Sequence, residues 1–233
     1  ISAGVPTIWQ ALLAHVEQHQ LRFRTMRRTA VGGSAMPKAL IAKFMDTYQV
    51  EVRHGWGMTE TTAVATIGTL PPTLSHGPAA AQHDYLANQG KSVHGVSIKL
   101  VDESGQDIPR DGKTQGELMV RGHWILSGYY KGEKSPLVNG WFPTGDIATI
   151  DADGLMNIRD RVKDVIKTGG EWISSIDLEN VALEHPAVAM AAVIGVEDPK
   201  WGERPLLFIV RKPSASLESQ EILDFLASKV AKW

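Results

Sequence analysis

The chain has 233 residues, of which 43% are hydrophobic and 21% charged, a composition typical of soluble globular proteins. Its 24 Lys and Arg residues against 26 Asp and Glu give a net charge of −2, which argues against a nucleic-acid partner because nucleic-acid-binding domains are usually basic. The absence of cysteine excludes disulfides, thiolate zinc sites and cysteine nucleophiles, and it fits a cytoplasmic protein.

The first sixty residues have the pattern of a parallel α/β sheet. Four elements are predicted in chain order: a helix over 6–20, a strand over Arg28–Val31, a helix over 37–48 and a strand over Gln49–His54. In the first helix, Ile8, Leu12 and Val16 repeat at helical spacing on one face, and Trp9 and Leu13 lie beside them. Parallel sheets bind ligands at the carboxyl ends of their strands, so the glycine-containing segments after both strands are candidate sites.

The rest of the chain shows three further patterns. Residues 68–92 are rich in Pro, Gly, Thr and Ser and predict a long loop. Short strands with turns then predict an antiparallel sheet or barrel: Val96–Asp102, Gly116–Arg121, Ile147–Ile150 and Leu155–Arg159. Beyond residue 163 the predicted order is strand, helix, strand, strand, helix, which includes Val188–Val196, Leu206–Arg211 and Leu217–Val230.

These patterns predict an α/β chain with α+β parts in three domains. The end of a large αβ domain is expected over residues 1–92, and a small antiparallel β-barrel subdomain over 93–160. A small, mobile α+β domain is expected over 161–233, after a charged stretch that reads as a linker.

The segment His54–Thr62, with the sequence HGWGMTETT, carries the strongest chemical signal. Its glycines permit a close approach of the backbone to a ligand, and its aromatic residue can stack on a planar base. The hydroxyl of Thr59 and the carboxylate of Glu60 suit a phosphate and Mg²⁺ respectively. A glycine-rich turn that caps a helix at Thr59 explains the same residues equally well.

Two other segments combine glycine with charge. In Gly140–Asp146, an aspartate after a tight turn can accept two ribose hydroxyls, although an Asx-turn is the commoner use of such a residue. In Arg159–Trp172, a run of charges precedes two glycines, which suits either a hinge that contacts a nucleotide or a solvated linker.

In this order, the three segments resemble the adenylate-forming superfamily, which includes acyl-CoA synthetases, coumarate–CoA-type ligases, beetle luciferases and peptide-synthetase adenylation domains. GWGMTE is similar to the superfamily's aromatic-Gly-x-Thr-Glu motif, GWFPTGD to its Gly-Trp-x-x-Thr-Gly-Asp motif, and DRVKDVIKTGGEWIS to its hinge motif. VPTIW, VGGSAM, GELMVRG with the following GYY, and KWGERP also match expected positions, so the resemblance spans essentially the whole chain.

The resemblance implies a role for each matching residue. Thr59, Glu60 and Lys163 would be catalytic, with Thr59 on the α-phosphate, Glu60 on Mg²⁺ and Lys163 as the pivot of the mobile domain. The implied nucleotide-binding residues are Gly32, Gly33, Ser34, Gly55, Trp56, Gly57, Thr59, Asp146 and Arg161. The implied CoA-binding residues are Gly169, Gly170 and Trp172, with Trp201 near the same face, and the implied acyl-pocket residues are Trp9, Gly57 and Met58.

The implied activity is that of an ATP-dependent acyl-CoA synthetase with ATP, Mg²⁺ and CoA as cofactors. A small carboxylic acid, with a short or medium chain or a fatty acid, would give acyl-AMP and then acyl-CoA. Two alternatives stay open: a module that loads a carrier protein, and a non-catalytic homologue that only binds. No apolar run approaches the ~20 residues that cross a bilayer, so no membrane span is expected, and a homodimer is possible.

Two of the superfamily's motifs do not occur in these 233 residues: the Ser/Thr/Gly-rich phosphate loop and the Pro-x-Thr-x-x-Gly-Lys segment with the catalytic lysine. We therefore expect a middle-to-C-terminal fragment that does not turn over alone. Rival motifs are weaker. Val16 replaces the glutamate of a zinc-protease helix after His15, and Met36 replaces the last glycine of a hydrolase nucleophile elbow.

Overall fold

The computed structural model describes residues 1–230, which form two compact units. The first unit comprises Ile1–Thr144 and Ala148–Ile158, and the second comprises Gly145–Ile147 and the chain from Arg159 onward. Residues 1–230 form a mixed α/β fold, as the sequence predicts, and their described strands form three sheets. The finer division at residues 92 and 160 stays a prediction.

The first unit begins with a five-stranded sheet in the order β1-β2-β3-β4-β5. Its strands are β1 (Ser2–Gly4), β2 (Arg28–Val31), β3 (Glu51–Trp56), β4 (Thr66–Ile67) and β5 (Lys91–Ser92). Strands β2 and β3 pair in parallel, as predicted, and β1, which was not predicted, pairs in parallel with β2. Strands β4 and β5 add to them antiparallel. Because β1, β2 and β3 run in one direction, their carboxyl ends share one edge of the sheet.

Helices pack on this sheet through apolar faces. They are α1 (Pro6–Gln18), α2 (Lys38–Ala42) with a π-helical turn over Lys43–Thr47, α3 (Pro72–Ser75) and α4 (Ala79–Ala87). In α1 the buried stripe is Trp9, Leu13 and Val16, whereas Ile8, which shares a face with Val16 in the sequence pattern, is 59% exposed. Phe44 is fully buried in the same core.

The prediction of a long loop over 68–92 was wrong, because α3, α4 and β5 all lie in it. The run Ala79–Ala81 consists of the best helix former and follows Pro78, so helix propensity prevails over the flanking Pro and Gly residues. His83 and Leu86 of α4 are buried, and Leu86 belongs to the same core as Trp9 and Phe44. This tertiary packing stabilises α4, which with nine residues is too short to be stable as an isolated helix.

A second sheet of the chain has the order β6-β7-β8-β9. Its strands are β6 (Val96–Val101), β7 (Gly116–Gly122), β8 (Phe142–Ile150) and β9 (Met156–Arg161). Among the described strands, β6 and β9 are the two edges of this sheet, so it is open and the predicted barrel is not confirmed. Its core is lined by Ile98, Leu118 and Val120.

The second unit has an antiparallel sheet in the order β11-β10-β13-β12. Its elements are β10 (Ile166–Thr168), β11 (Glu171–Ile173), α5 (Ser175–Leu183), β12 (Val188–Asp198), β13 (Gly202–Arg211) and α6 (Ser219–Ala227). Both helices cover one face of the β12–β13 ribbon, where Ala182, Val188, Ile222 and Leu226 form a small core. The α+β pattern predicted here is therefore confirmed, with one more strand than expected.

Candidate functional site

The carboxyl ends of β2 and β3 bring two of the predicted glycine segments together. The register pairs Val31 with His54, so Gly32 lies next to Gly55 on the neighbouring strand. A Cβ atom added to Gly32 would stand 3.3 Å from the carbonyl oxygen of Gly55. The Gly32–Ser34 loop and the segment after β3 therefore share one edge of the sheet, where parallel sheets bind ligands.

Packing within the protein already requires two glycines at this edge. Gly33 has a φ of +86°, a conformation that L side chains rarely adopt. A Cβ on Gly57 would collide with the carbonyl oxygen of Ala63, because the chain folds back on itself there. These glycines thus have a structural role whether or not a ligand approaches them.

A short 3-10 turn over Thr59–Thr61 holds the predicted phosphate and metal residues. The Met58 amide donates to Thr61 Oγ1 at 2.9 Å, and the Thr61 hydroxyl donates to the Met58 carbonyl at 3.0 Å. Thr62 and Ala63 follow with left-handed φ values of 53° and 73°, which are strained for residues other than glycine. Thr61 is fully buried and Thr59 is exposed, so the turn is anchored at one end and presents Thr59 to solvent.

Glu60, the predicted Mg²⁺ ligand, is held by residues that are distant in sequence. The Tyr129 hydroxyl donates to Glu60 Oε1 at 2.8 Å, and the Leu126 amide donates to the Glu60 carbonyl at 2.9 Å. The hydrogen bond to Glu60 raises the pKa of Tyr129 above its usual value. Sequence reasoning missed Tyr129, although the GYY motif that contains it was part of the resemblance.

The residues around Glu60 fit Mg²⁺ bound together with a nucleotide. Within residues 1–230, no group of three or more His, Cys, Asp or Glu side chains could hold a metal ion by itself. Mg²⁺ commonly binds through one or two carboxylates plus substrate phosphates rather than an all-protein cage. A single carboxylate on a fixed turn, beside the exposed Thr59, matches that pattern.

Three of the predicted ligand-binding residues lie against apolar cores: Trp9 and Met58 from the acyl pocket, and Trp56 from the nucleotide site. Trp9 is 3% exposed, and its indole donates to the carbonyl of Gly4, the last residue of β1, at 3.2 Å. Trp56 and Met58 are half-buried against the core of the second sheet. All three therefore stabilise the fold, and their roles beside adenine or the acyl group stay predictions.

His54, the residue on β3 just before the glycine segment, is fully buried. Burial lowers the pKa of His54 below 6.5, although the nearby backbone of Ser34 and Ala87 partly opposes this. Its Nδ1 lies 3.1 Å from the Ala87 carbonyl, and its buried Nε2 has no hydrogen-bond partner within the described chain.

We expect the free energy of unfolding to fall as the pH drops below about 6.5, because His54 then binds a proton in the unfolded chain but not in the folded chain. This contribution is fully present above pH 6.5 and is lost at up to about 1.4 kcal/mol per pH unit towards the folded pKa. Urea unfolding between about pH 7.5 and 5.5 measures it. His54→Gln should flatten the slope, whereas His123→Gln, at an exposed histidine, should not. If the stability of His54→Gln changed with pH as steeply as that of the wild type, the pH dependence could not be assigned to His54.

In the second unit, Asp146 and Arg161 form an ion pair. Arg161 Nε lies 2.9 Å from Asp146 Oδ1, and Asp146 is 3% exposed whereas the arginine side chain is half exposed. The Val162 amide donates to the Gly145 carbonyl at 2.9 Å, which joins the two segments through the backbone as well. The two residues predicted to contact ribose are therefore neighbours.

The predicted hinge segment is tied at both sides of Lys163. Asp160, which is 2% exposed, accepts from the amides of Arg161 at 2.8 Å and Ser175 at 2.6 Å. Asp164 and Val165 donate their amides to the Arg161 carbonyl at 3.0 and 2.9 Å. Lys163 is exposed in the turn that these bonds close.

The glycines predicted to line a CoA tunnel form the two-residue turn between β10 and β11. Thr168 pairs with Glu171, and Gly169 and Gly170 between them have φ values of +57° and +89°. Two left-handed residues are typical of a type I′ hairpin turn, which explains both glycines without a ligand.

Gly169 also packs on Trp201, whose ring would stand 3.0 Å from an added Cβ, and donates its amide to the Trp201 carbonyl at 2.8 Å. Trp172 follows the turn, with Lys167 Nζ 5.2 Å from its ring centroid.

Comparison with known proteins identifies the family. The AMP-binding enzyme family matches residues 1–130, and the AMP-binding enzyme C-terminal domain matches residues 177–233. The chain therefore belongs to the AMP-binding enzyme family, as the motifs in its sequence indicate.

The chain is similar to several CoA ligases along its whole length. It is 50% identical to a 3-methylmercaptopropionyl-CoA ligase of Ruegeria pomeroyi and 45% identical to a medium-chain-fatty-acid–CoA ligase of Ectopseudomonas oleovorans. Each match covers 100% of this chain but only 43% of the relative. The chain thus spans less than half the length of these curated relatives.

Solved structures give the same fold. The o-succinylbenzoate-CoA synthetase of Bacillus subtilis, in complex with its acyl-adenylate, matches with a TM-score of 0.82 at 30% identity, over 99% of this chain and 44% of that one. An amide bond synthetase of Marinactinospora thermotolerans matches with a TM-score of 0.84 at 27% identity, over 98% and 45% respectively. No helix in residues 1–230 is long and apolar enough to cross a membrane.

Proposed function

We propose that the natural chain carrying residues 1–233 is an ATP-dependent acyl-CoA synthetase. The observation that carries the proposal is the turn after β3, which carries Thr59 and Glu60 and follows the sheet edge where Gly55 neighbours Gly32. Relatives named as CoA ligases, at 45–50% identity over the whole chain, support CoA as the acceptor.

In the first half-reaction, a substrate carboxylate attacks the α-phosphate of ATP, which gives acyl-AMP and releases pyrophosphate. Both reactants are anions, so the protein must position them and offset their repulsion. Mg²⁺, held by Glu60 when bound, supplies charge neutralisation on the phosphates. The Thr59 hydroxyl donates to the α-phosphate, and the Gly32–Ser34 loop borders adenine.

The ribose is assigned to Asp146 and Arg161. Their ion pair at 2.9 Å holds the two side chains together, which supports a joint role. Asp146 accepts from the ribose hydroxyls because a carboxylate offers two acceptor oxygens.

In the second half-reaction, the CoA thiol loses its proton and attacks the acyl carbonyl, and AMP leaves. We assign Lys163 as the pivot of a rotation between the two half-reactions, because one site that serves two reactions needs a moving part. The Gly169–Gly170 turn, which carries no side chains next to Trp201, is assigned to pantetheine, with Trp172 nearby. The acyl chain is assigned to Trp9, Gly57 and Met58.

Product analysis tests the proposal and identifies the acid. The natural chain is incubated with ATP, Mg²⁺ and one carboxylic acid, with and without CoA, and the products are detected by mass spectrometry. Two of the acids, 3-(methylthio)propionate and a medium-chain fatty acid, follow the relatives described above. A long-chain fatty acid and cinnamate extend the series, after two further similar ligases. We expect acyl-CoA only when CoA is present, from a short- or medium-chain acid.

Acyl-AMP that accumulates without a thioester would contradict CoA as acceptor and would favour a carrier protein. Absence of both products with every acid would contradict the catalytic assignment and favour a homologue that only binds. A cytoplasmic location and a homodimer stay predictions that this experiment does not address.

A further inference from the structure

The segment 124–129, which follows β7, is bonded to the turn that carries Glu60 at three points. The Thr62 hydroxyl donates to the Trp124 carbonyl at 2.7 Å. The Leu126 amide donates to the Glu60 carbonyl at 2.9 Å, and the Tyr129 hydroxyl donates to Glu60 Oε1 at 2.8 Å. Two of these contacts thus hold Glu60 itself, one at its backbone and one at its carboxylate.

The segment is itself anchored, so it can hold the turn in place. Ile125 and Leu126 are half-buried against the core of the second sheet. The Trp124 indole donates to the His94 carbonyl at 2.8 Å, and the Gly132 amide donates to the Tyr129 carbonyl at 3.0 Å. The start of the segment is therefore anchored on the second sheet, and a local turn fixes the backbone at Tyr129.

A phenol that donates to one oxygen of a carboxylate restricts the rotation of that side chain. Glu60 has three side-chain torsions, and an exposed glutamate would sample many rotamers. With Oε1 bonded to Tyr129, the second oxygen, Oε2, keeps a defined direction for a cation. Groups that orient a metal ligand in this way typically change metal affinity or activity 10–100-fold.

We propose that Tyr129 is a positioning residue that acts through Glu60 to set the affinity of the site for Mg²⁺·ATP. The proposal rests on the assignment of Glu60 as the Mg²⁺ ligand in the proposed function. Tyr129 touches neither phosphate nor acid in this role, and its effect requires the Glu60 carboxylate.

Tyr129→Phe is the test variant, because it removes the hydroxyl and keeps the ring. The chain offers a matched control in Tyr130→Phe, which removes the same group from the neighbouring tyrosine, 91% exposed. Both variants should fold, since both side chains are largely in solvent, and equal thermal unfolding midpoints verify this. The measurements use the natural chain that carries residues 1–233.

Two readouts separate metal binding from turnover. The first is Mn²⁺ binding in the presence of ATP, followed by electron paramagnetic resonance without acid substrate. The second is the free Mg²⁺ concentration that gives half-maximal acid-dependent pyrophosphate exchange. In Tyr129→Phe we expect both the Mn²⁺ dissociation constant and this Mg²⁺ concentration to rise about tenfold, at the lower end of such effects because Tyr129 is 52% exposed. The KM for the acid and all values of Tyr130→Phe should stay at wild type.

A double-mutant cycle shows whether Tyr129 acts through Glu60. Adding Tyr129→Phe to Glu60→Gln should produce no further loss in Mn²⁺·ATP binding, because the carboxylate that Tyr129 orients for the cation is already absent. Independent, additive losses would overturn the proposal, and so would wild-type metal binding in Tyr129→Phe. These results are distinguishable from a failure of the proposed function. If the proposed function is wrong, the wild-type protein gives no acyl-AMP, or Glu60→Gln keeps the wild-type dependence on metal. Either result would also contradict the role of Tyr129.

Discussion

Replacing Glu60 with glutamine is expected to slow acyl-AMP formation about 10²–10³-fold, as is usual when a charge-stabilising group is removed from an active site. Glutamine keeps the size of the side chain and can still accept from the Tyr129 hydroxyl, so the turn over Thr59–Thr61 should persist. What is lost is the negative charge that holds Mg²⁺ on the phosphates. Acid-dependent exchange of pyrophosphate into ATP measures this step without CoA.

The control for Glu60→Gln is Glu133→Gln, which removes a charge from an exposed carboxylate in the same unit. Activity of the control should stay within about twofold, since isolated surface charges contribute little. If Glu60→Gln retained normal exchange with unchanged dependence on Mg²⁺, the metal role of Glu60 would be wrong, and the role of Tyr129 with it.

Replacing Lys163 with proline is expected to impair the thioester step more than adenylation. Proline fixes φ at residue 163 and restricts Val162, so the segment loses the freedom that a pivot needs. The amides that close this turn belong to Asp164 and Val165, so the substitution removes neither of their hydrogen bonds. We expect acyl-AMP formation to change a few-fold, and its transfer to CoA to slow about 10²-fold because the acceptor site is misplaced.

The two half-reactions are measured separately, by pyrophosphate exchange and by single-turnover transfer from preformed acyl-AMP. Lys163→Ala is the matched control, because it removes the ammonium group and leaves φ free. Equal slowing of both steps by Lys163→Pro would contradict the pivot, and an equal effect of Lys163→Ala would assign the loss to the charge instead.

Much of the fold follows from local patterns. The parallel strands β2 and β3, with α1 and the π-turned α2, lie where apolar segments and Pro6 and Pro37 predict them, whereas the short β1 was not predicted. The predicted loop over 68–92 was wrong, because α4 depends on the burial of His83 and Leu86 by chain segments far from it in sequence. The predicted barrel is not confirmed, and local patterns could not decide it, because closure depends on pairing between edge strands rather than on any one strand.

The residues of the candidate site also differ in whether a local pattern could reveal them. Thr59, Glu60 and the glycines are contiguous in motifs, so sequence alone could find them. Tyr129 lies 69 residues from Glu60, and no local pattern connects the two. Gly57 and the Gly169–Gly170 turn were interpreted as ligand-facing, yet their conformations are also required by Ala63 and by a hairpin, which became visible only in three dimensions.

The sequence by itself determined the family of this protein, because motif chemistry resides in neighbouring residues whose types and order can be read along the chain. It also determined the parallel sheet and the α+β unit, because apolar periodicity is a local property. Only the tertiary structure decided that the second sheet is open, that Asp146 pairs with Arg161, and that a tyrosine holds the carboxylate of Glu60. Those features arise from contacts between distant segments, whose partners are selected by packing and burial of the whole chain rather than by any short stretch of it.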